Sequence, residues 1–289
     1  MSKQQQRGTR RARRRDADAP SPALRRPVGS YGDKSQRVIY VATEGSKTEP
    51  AYLDLLNKTF GEGDAERGIP PFSLEYCHPG HPNGLRPSKV VEQVLAKAGP
   101  GEEMWALFDR DAADSRDADI RDAFKLAREN GVQVALSDPS FELWLLLHFQ
   151  PWGSREGGRD ARVKDQLRRH PDAQGFGNYD KASGKRGKGL DGTRGQSLMA
   201  ASRPAAAVRH ARKLVDSCPH PHGGCSAKQA DRNRGLEQAA RGQKAAALSA
   251  AEYAQMSGHA DTCDPLKRDP SSDIWRLLAA LGVGNRTKQ

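Results

Sequence analysis

Short apolar runs alternate with amphipathic stretches between residues 37 and 136. The amphipathic stretches repeat apolar residues at helical spacing and begin near Thr48, Ser88 and Ile120, and Gly131 is a typical helix stop after the third. The apolar runs predict four β-strands, at residues 37–43, 72–76, 104–108 and 132–136. Strands separated by helices of this length favour a mostly parallel sheet with helices on both faces, so the sequence predicts an α/β fold.

Three further parts are predicted around an α/β core of residues 37–150. Residues 1–36 lack apolar periodicity and predict a disordered basic tail. Residues 151–200 are rich in glycine and basic side chains, which predicts a flexible insertion. Residues 201–289 predict a helical C-terminal part that packs on the core. Its helices are expected at Ala205–Val215, Gly235–Met256 and Asp273–Leu281.

The formal net charge of +11 is unevenly distributed along the chain. Residues 38–150 carry a net charge of −8, whereas residues 1–37, 151–200 and 201–289 carry +8, +5 and +6. Basic segments around an acidic core are expected where phosphate backbones bind at the periphery and a cation lies in the centre. We therefore predict a nucleic-acid partner, DNA or RNA. The arginine-rich residues 10–15 fit a non-specific nucleic-acid arm and, equally well, a solubilising tail.

Composition also bears on the location of the protein. No apolar run approaches the roughly 20 residues of a membrane-spanning helix. The basic N-terminus is not followed by the apolar stretch of a secretory signal. Four scattered cysteines do not resemble a disulfide framework. We expect a cytoplasmic protein without a membrane partner.

Three carboxylates stand where predicted strands end. Glu44 follows the first strand, and Asp109 and Asp111 follow the third. Parallel strands end at one edge of a sheet, and carboxylate oxygens suit Mg²⁺ or Mn²⁺ together with a substrate phosphate. We predict that all three are metal ligands and catalytic residues; a solvated loop and a strand-end surface charge are the alternatives. Glu49 is either a further catalytic carboxylate or a residue of the first turn of a helix, where the helix dipole favours it, and we prefer the helix role.

Five more side chains are candidates near this edge. Glu142 interrupts an apolar run, where burying a carboxylate is costly without a partner, so we predict a fourth catalytic residue. A cap on local backbone amides is the alternative for Glu142. Lys47, Arg110, His148 and Lys181 are predicted to bind substrate. Lys47 and Arg110 would serve equally as ion-pair partners of the carboxylates, and His148 as a packed core histidine.

Two other segments carry candidate chemistry. Phe176 and Tyr179 stand among basic residues, so that residues 151–200 are predicted to grip phosphate and stack on bases. A mobile insertion without that role is the alternative. Farther on, Cys218, His220, His222 and Cys225 offer four ligands for structural Zn²⁺, although their spacing and the intervening prolines and glycines also fit a plain loop between helices.

Three segments together resemble the RloB-like family: Thr43–Pro50, Phe108–Asp111 and Ser137–Phe149, with weaker echoes at Tyr179–Lys181 and Asp269–Ser272. The resemblance implies a Toprim-like fold, as in topoisomerases, primases and certain nucleases. It also implies defence against mobile DNA beside an ATPase partner of the AAA or ABC type, and a presumed nuclease activity. In Toprim proteins the glutamate that matches Glu44 is the candidate general acid or base.

The sequence thus predicts a metal-dependent nuclease that cleaves DNA or RNA as an anti-phage effector, compatible with a homo-oligomer. A non-catalytic sensor that binds nucleic acid in a defence complex is the main alternative. A glycosyltransferase also uses Asp-x-Asp for a nucleotide-sugar metal. A phosphatase with a nucleophilic aspartate is less favoured, because here the motif follows a later strand and Ala112 and Ala113 come after Asp111.

Overall fold

A computed structural model describes residues 36–77, 84–99, 101–111, 117–181, 185–200, 202–218, 225, 258–260 and 263–284. The basic tail and the helix expected at Gly235–Met256 lie outside these residues.

The centre of the fold is a five-stranded sheet with the strand order β2-β1-β3-β4-β5. Four strands are parallel, and the short fifth strand pairs antiparallel with β4. The strands are β1 (Arg37–Thr43), β2 (Phe72–Tyr76), β3 (Glu103–Asp109), β4 (Gln133–Asp138) and β5 (Ser271–Ser272). The predicted mostly parallel α/β architecture is confirmed, and the four long strands lie close to the positions predicted by the apolar runs.

Helices cover both faces of this sheet, as the alternation of strands and helices predicts. One face is covered by α2 and α3, whose apolar residues form the smaller hydrophobic cluster. The other face carries the larger cluster, which includes α1, α4, α5, α8 and α9. The helices are α1 (Thr48–Phe60), α2 (Pro87–Lys97), α3 (Asp117–Glu129), α4 (Phe141–Leu147), α5 (Ala161–Arg169), α6 (Lys185–Lys188), α7 (Thr193–Met199), α8 (Arg203–Asp216) and α9 (Ile274–Ala280).

Helix α4 is buried on every side. All seven of its residues, including Glu142, are buried. A helix that is apolar around its whole circumference must be enclosed by other elements, and α4 contacts α5, α8 and the sheet. It therefore places Glu142 inside the molecule, directly after the end of β4.

The described part of residues 151–200 belongs to the core, which corrects the prediction of a flexible insertion. Helices α5 and α7 lie in this segment, and both bury apolar residues in the larger cluster. Phe176 and Tyr179 are fully buried, so neither ring is available to stack on a base. The guanidinium of Arg194 lies 5.7 Å from the centroid of the Phe176 ring and 5.3 Å from that of Tyr179. Apolar residues are few and scattered among the polar residues of this segment, so the sequence pattern does not show that they pack together in the folded protein.

The C-terminal helices α8 and α9 confirm two of the three predicted there. Across the described ranges, no helix is both long and apolar enough to cross a membrane.

Candidate active site

A cavity of about 400 Å³ opens at the carboxyl edge of the sheet. It lies where β1, β3 and β4 end, because parallel strands direct their carboxyl ends to one edge. Charged side chains line it: the acidic residues Glu44, Glu49, Asp109, Asp111, Glu142 and Asp160, and the lysines Lys47, Lys164 and Lys188. All four predicted catalytic residues and Lys47 are therefore brought together here.

Glu44 and Asp109 are joined through the backbone. The Glu44 N–H donates a hydrogen bond of 2.9 Å to the carbonyl of Leu107, which extends the pairing of β1 and β3 by one residue. The Asp109 N–H in turn donates a hydrogen bond of 3.1 Å to Oε2 of Glu44. Strand pairing thus fixes the position of the Glu44 carboxylate against the end of the neighbouring strand.

Glu49 also lies in the cavity, although its sequence position favoured a helix-dipole role over a catalytic one. It is in the first turn of α1, and the N–H of Gly45 donates a hydrogen bond of 3.1 Å to its Oε1. A Cβ atom at position 45 would overlap the Glu49 carboxylate, so glycine at this position allows the carboxylate to approach the backbone. Burial raises the pKa of Glu49 to about 7, with further increases from the charges of Glu142 and Glu44.

The pKa of Asp109 is raised well above its usual range. Burial is the largest cause, and the charges of Glu49, Glu44 and Glu142 add to it, whereas the Phe141 N–H opposes the rise. Carboxylates that raise one another's pKa are stabilised by a cation between them. The all-oxygen donor set fits Mg²⁺ or Mn²⁺, which prefer oxygen ligands.

Glu142 is fixed by a buried tyrosine. The Tyr179 hydroxyl donates a hydrogen bond of 3.0 Å to Oε1 of Glu142, and the Thr48 hydroxyl lies 3.0 Å from the Tyr179 oxygen. Lys188 Nζ lies 3.6 Å from the same Oε1. Side chains from separate parts of the chain thus hold Glu142, and the backbone cap weighed as an alternative is not needed to explain its burial.

Two lysines form a basic side of the cavity that the sequence does not single out. Lys164 Nζ lies 2.6 Å from Asp160 and 2.7 Å from Asp180. Burial lowers the pKa of Lys164, but the carboxylates of Glu142, Asp160 and Asp180 raise it by more, so the ammonium stays charged. Lys188 lies 3.7 Å from Asp180. In the sequence, Lys164 looks like half of an ordinary surface pair with Asp160, four residues earlier.

Arg110 is turned away from the cavity. Its Nη1 lies 3.2 Å from Oδ2 of the fully buried Asp138, and its Nε lies 3.9 Å from Asp117. Arg110 does not line the cavity, and its ion-pair partners are Asp138 and Asp117 rather than the predicted catalytic carboxylates. Burial raises the pKa of Asp138 to about 7, with Asp269 adding to the rise and Arg110 opposing it.

His148 and Lys181 are also outside the lining of the cavity. His148 is fully buried, with Nε2 3.1 Å from the Tyr52 hydroxyl and Nδ1 2.9 Å from the carbonyl oxygen of Trp144. Burial lowers the pKa of His148 to about 4, so the ring is neutral at pH 7. This is the packed-histidine alternative. Lys181 is exposed in a turn after Tyr179.

A second cluster could hold a metal ion. One ligand atom from each of Cys218, Cys225, His259 and Cys263 lies within 4.8 Å of the others. Cys218 and Cys225 belong to the predicted zinc set, whereas His259 and Cys263 were not predicted and lie together with them. The predicted ligands His220 and His222 lie outside the described residues. The predicted set contained only residues close along the chain, whereas the fold brings two ligands from a distant segment.

Comparison with protein families gives a match to the model described as RloB-like protein, over residues 39–281. This range runs from β1 to the residue after α9 and includes every side chain that lines the cavity. No curated protein and no solved structure matches the chain.

Proposed function

Because the chain belongs to the RloB-like family, and because its carboxylates crowd together at the carboxyl edge of the sheet, we propose that it is a metal-dependent nuclease that cleaves the phosphodiester bonds of DNA or RNA. The observation that carries the proposal is that one cavity is lined by the carboxylates of Glu44, Glu49, Asp109, Asp111 and Glu142. The raised pKa of Asp109 and of Glu49 is consistent with this crowding. A protein that crowds buried carboxylates without a cation loses stability, so the arrangement is best explained by a bound divalent ion.

Asp109, Asp111 and Glu44 would hold Mg²⁺ or Mn²⁺. The cation would act as a Lewis acid towards phosphate and lower the pKa of bound water. Glu44 is placed to accept or donate a proton, and the hydrogen bond from the Asp109 N–H to its Oε2 fixes the orientation of the carboxylate. Glu142 and Glu49 complete the acidic wall, and Tyr179 holds Glu142 in place.

The lysines supply the attraction for a substrate anion. Lys47, Lys164 and Lys188 line the same cavity as the carboxylates. A phosphate that enters would therefore meet ammonium groups as well as the cation held by the carboxylates. The net charge of +11 supports a polyanionic substrate, which such a protein attracts over long range.

The resemblance supports a wider role for the same activity. We include in the proposal a Toprim-like arrangement of the catalytic carboxylates, an anti-phage function in the cytoplasm and an ATPase partner of the AAA or ABC type. The first of these rests on the Asp-x-Asp element at the end of β3 and the glutamate after β1.

The test is a cleavage assay with the full chain. Plasmid DNA, single-stranded DNA, total RNA and transfer RNA are incubated with Mg²⁺, Mn²⁺ or EDTA. We expect metal-dependent cleavage of one class, reduced at least about 100-fold in Asp109→Asn. Asp54→Asn is the matched control, because Asp54 is an exposed carboxylate on α1 that does not line the cavity, and it should cleave as the wild type does.

The second candidate is a non-catalytic nucleic-acid sensor, which the positive net charge favours. If the protein is such a sensor, the Asp109→Asn and Glu44→Gln variants would still bind nucleic acid. The wild type would cleave none of the substrates with either metal. Cleavage that Asp109→Asn leaves unchanged would contradict the proposed site itself.

A further inference from the structure

Four potential metal ligands meet beside the edge strand of the sheet, away from the cavity. Cys218 follows α8, and Cys263 precedes the short 3₁₀ helix Pro265–Lys267 that leads to β5. Cys225 and His259 are separated along the sequence by residues 226–258. The four ligand atoms lie within 4.8 Å of one another, and the thiols are not joined by disulfides.

This set of donors has the chemistry of a zinc site. Three thiols and an imidazole are the soft and borderline donors that Zn²⁺ selects, unlike the oxygen donors at the carboxyl edge. With Zn–S bonds of about 2.3 Å, tetrahedral ligands lie roughly 3.8 Å apart. A cluster confined to 4.8 Å is therefore of the size that one ion requires.

The surroundings of His259 point to the same conclusion independently. Its Nε2 lies 3.0 Å from the Ser271 hydroxyl and 3.9 Å from Oδ1 of Asp273. Both partners are buried, and this Oδ1 has no hydrogen-bond partner among the described residues. A proton on Nε2 that faces these oxygens leaves the lone pair of Nδ1 directed at Sγ of Cys263, 3.6 Å away. A carboxylate or hydroxyl behind the distal nitrogen is the usual support of a histidine that binds metal.

The thiol of Cys225 is supported from the backbone. The N–H of Ala260, next to His259, donates a hydrogen bond of 3.4 Å to Sγ of Cys225. This bond ties the backbone next to His259 to the sulfur of Cys225.

We propose that Cys218, Cys225, His259 and Cys263 bind one structural Zn²⁺, which fastens the chain after α8, at Cys225 and at His259 to the edge of the sheet at β5. Four protein ligands fill a tetrahedral ion and leave no position for substrate, so the role is structural. The connection to the sheet is direct, because the Asp273 N–H donates a hydrogen bond of 2.8 Å to the carbonyl of Leu136 in β4. The zinc site is distinct from the proposed magnesium site and does not depend on nuclease activity.

The first experiment is elemental analysis of the full chain, purified without chelators from medium supplemented with zinc. We expect one zinc per chain, and the same content in Cys77→Ala, a matched control whose thiol is buried in the other hydrophobic cluster. Cys263→Ser and His259→Ala should each lose most of the metal. Zinc far below one per chain in the wild type, or full zinc in both ligand variants, would overturn the proposal.

A variant could lose zinc because it misfolds and not because it lacks a ligand. A measurement on the wild type alone avoids this ambiguity. The zinc-free protein is titrated with Co²⁺, whose absorption reports tetrahedral geometry and thiolate ligation. A tetrahedral spectrum with thiolate charge transfer that saturates at one Co²⁺ per chain, and that added Zn²⁺ abolishes, supports the site. An octahedral spectrum without thiolate charge transfer, or a disulfide between Cys218 and Cys225 detected by mass spectrometry of the purified protein, would count against it.

Discussion

Two carboxyl groups of the cavity, those of the buried Glu49 and the partly buried Asp109, link the stability of the protein to pH. Glu49 and Asp109 have a raised pKa mainly because burial disfavours charge, and secondly because Glu44 and Glu142 lie nearby. Each group therefore holds its proton in the folded protein at a pH where the unfolded chain has released it. This difference links folding stability to pH, and a cation in the cavity should oppose it.

The Glu49→Gln variant tests this linkage. In metal-free wild type, stability should fall as the pH rises from 4.5 through about 7, because the unfolded chain releases the Glu49 proton before the folded protein does. Glutamine has no proton to release. We expect the variant to match the wild type near pH 4.5 and to be more stable at pH 8 by about 3 kcal/mol, measured by urea denaturation in EDTA.

A control variant and a control condition accompany this measurement. Glu62→Gln, at an exposed position after α1, should show no pH-dependent gain. Added Mg²⁺ should narrow the gap at pH 8, because the wild type gains more from the cation than the variant does. Equal stability of Glu49→Gln and wild type at both pH values would show that Glu49 is not buried as described.

At the scale of elements, the ends of β3 and β4 are held by an ion pair rather than by packing alone. Arg110 follows β3, and Asp138 ends β4 with a side chain that is fully buried. A buried carboxylate is costly without its cation, so the pair fixes the two strand ends that border the cavity. The location of the pair explains why Arg110, which stands between two predicted metal ligands in sequence, lies outside the cavity lining.

A double-mutant cycle tests this role for Arg110. Arg110→Gln should lower the free energy of unfolding by about 3 kcal/mol at pH 8, because Asp138 is left buried and uncompensated. Arg110→Gln with Asp138→Asn should be less destabilised than the sum of the two single variants, as measured by urea denaturation. Additive losses would indicate that the two side chains do not interact. If Arg110 instead held substrate phosphate, nucleic-acid affinity would stay low in the double variant.

At the scale of the whole molecule, charge separates the acidic core from basic flanks. Residues 1–37 carry +8, whereas the block with most of the cavity carboxylates carries −8. Attraction of a polyanion to the flanks depends on salt, because binding releases the counterions of the phosphates. The binding of a cation by the carboxylates of the cavity depends much less on salt concentration.

Removal of residues 1–36 should therefore weaken binding without changing the chemistry. We expect a lower affinity for double-stranded nucleic acid and a shallower dependence of log affinity on log salt, by roughly 0.9 for each phosphate that the tail would otherwise neutralise. Fluorescence anisotropy at several salt concentrations measures both. The cleavage rate at saturating substrate should stay within about twofold of the full chain. An unchanged slope would identify the tail as a solubilising segment.

The spacing of apolar and polar residues was enough to predict the strands, several helices and the meeting of carboxylates at the carboxyl edge of the sheet. The spacing of apolar residues depends on neighbours within a few positions, so the strands and several helices follow from it. Glu44 and Asp109 could be placed together because parallel strands end at a shared edge, which is a property of the fold class and not of any particular packing.

Only the tertiary structure decided which distant side chains meet. Glu49 lies in the cavity, where it accepts a hydrogen bond from Gly45, and the packing of α5 places Lys164 in the same lining. His148 is buried in the core beside Tyr52. In the cysteine cluster, His259 and Cys263 come from positions more than 30 residues after Cys225. The physical reason is common to these cases: periodicity reports which face of an element is apolar, whereas the partner of a polar side chain depends on how separate elements pack against one another.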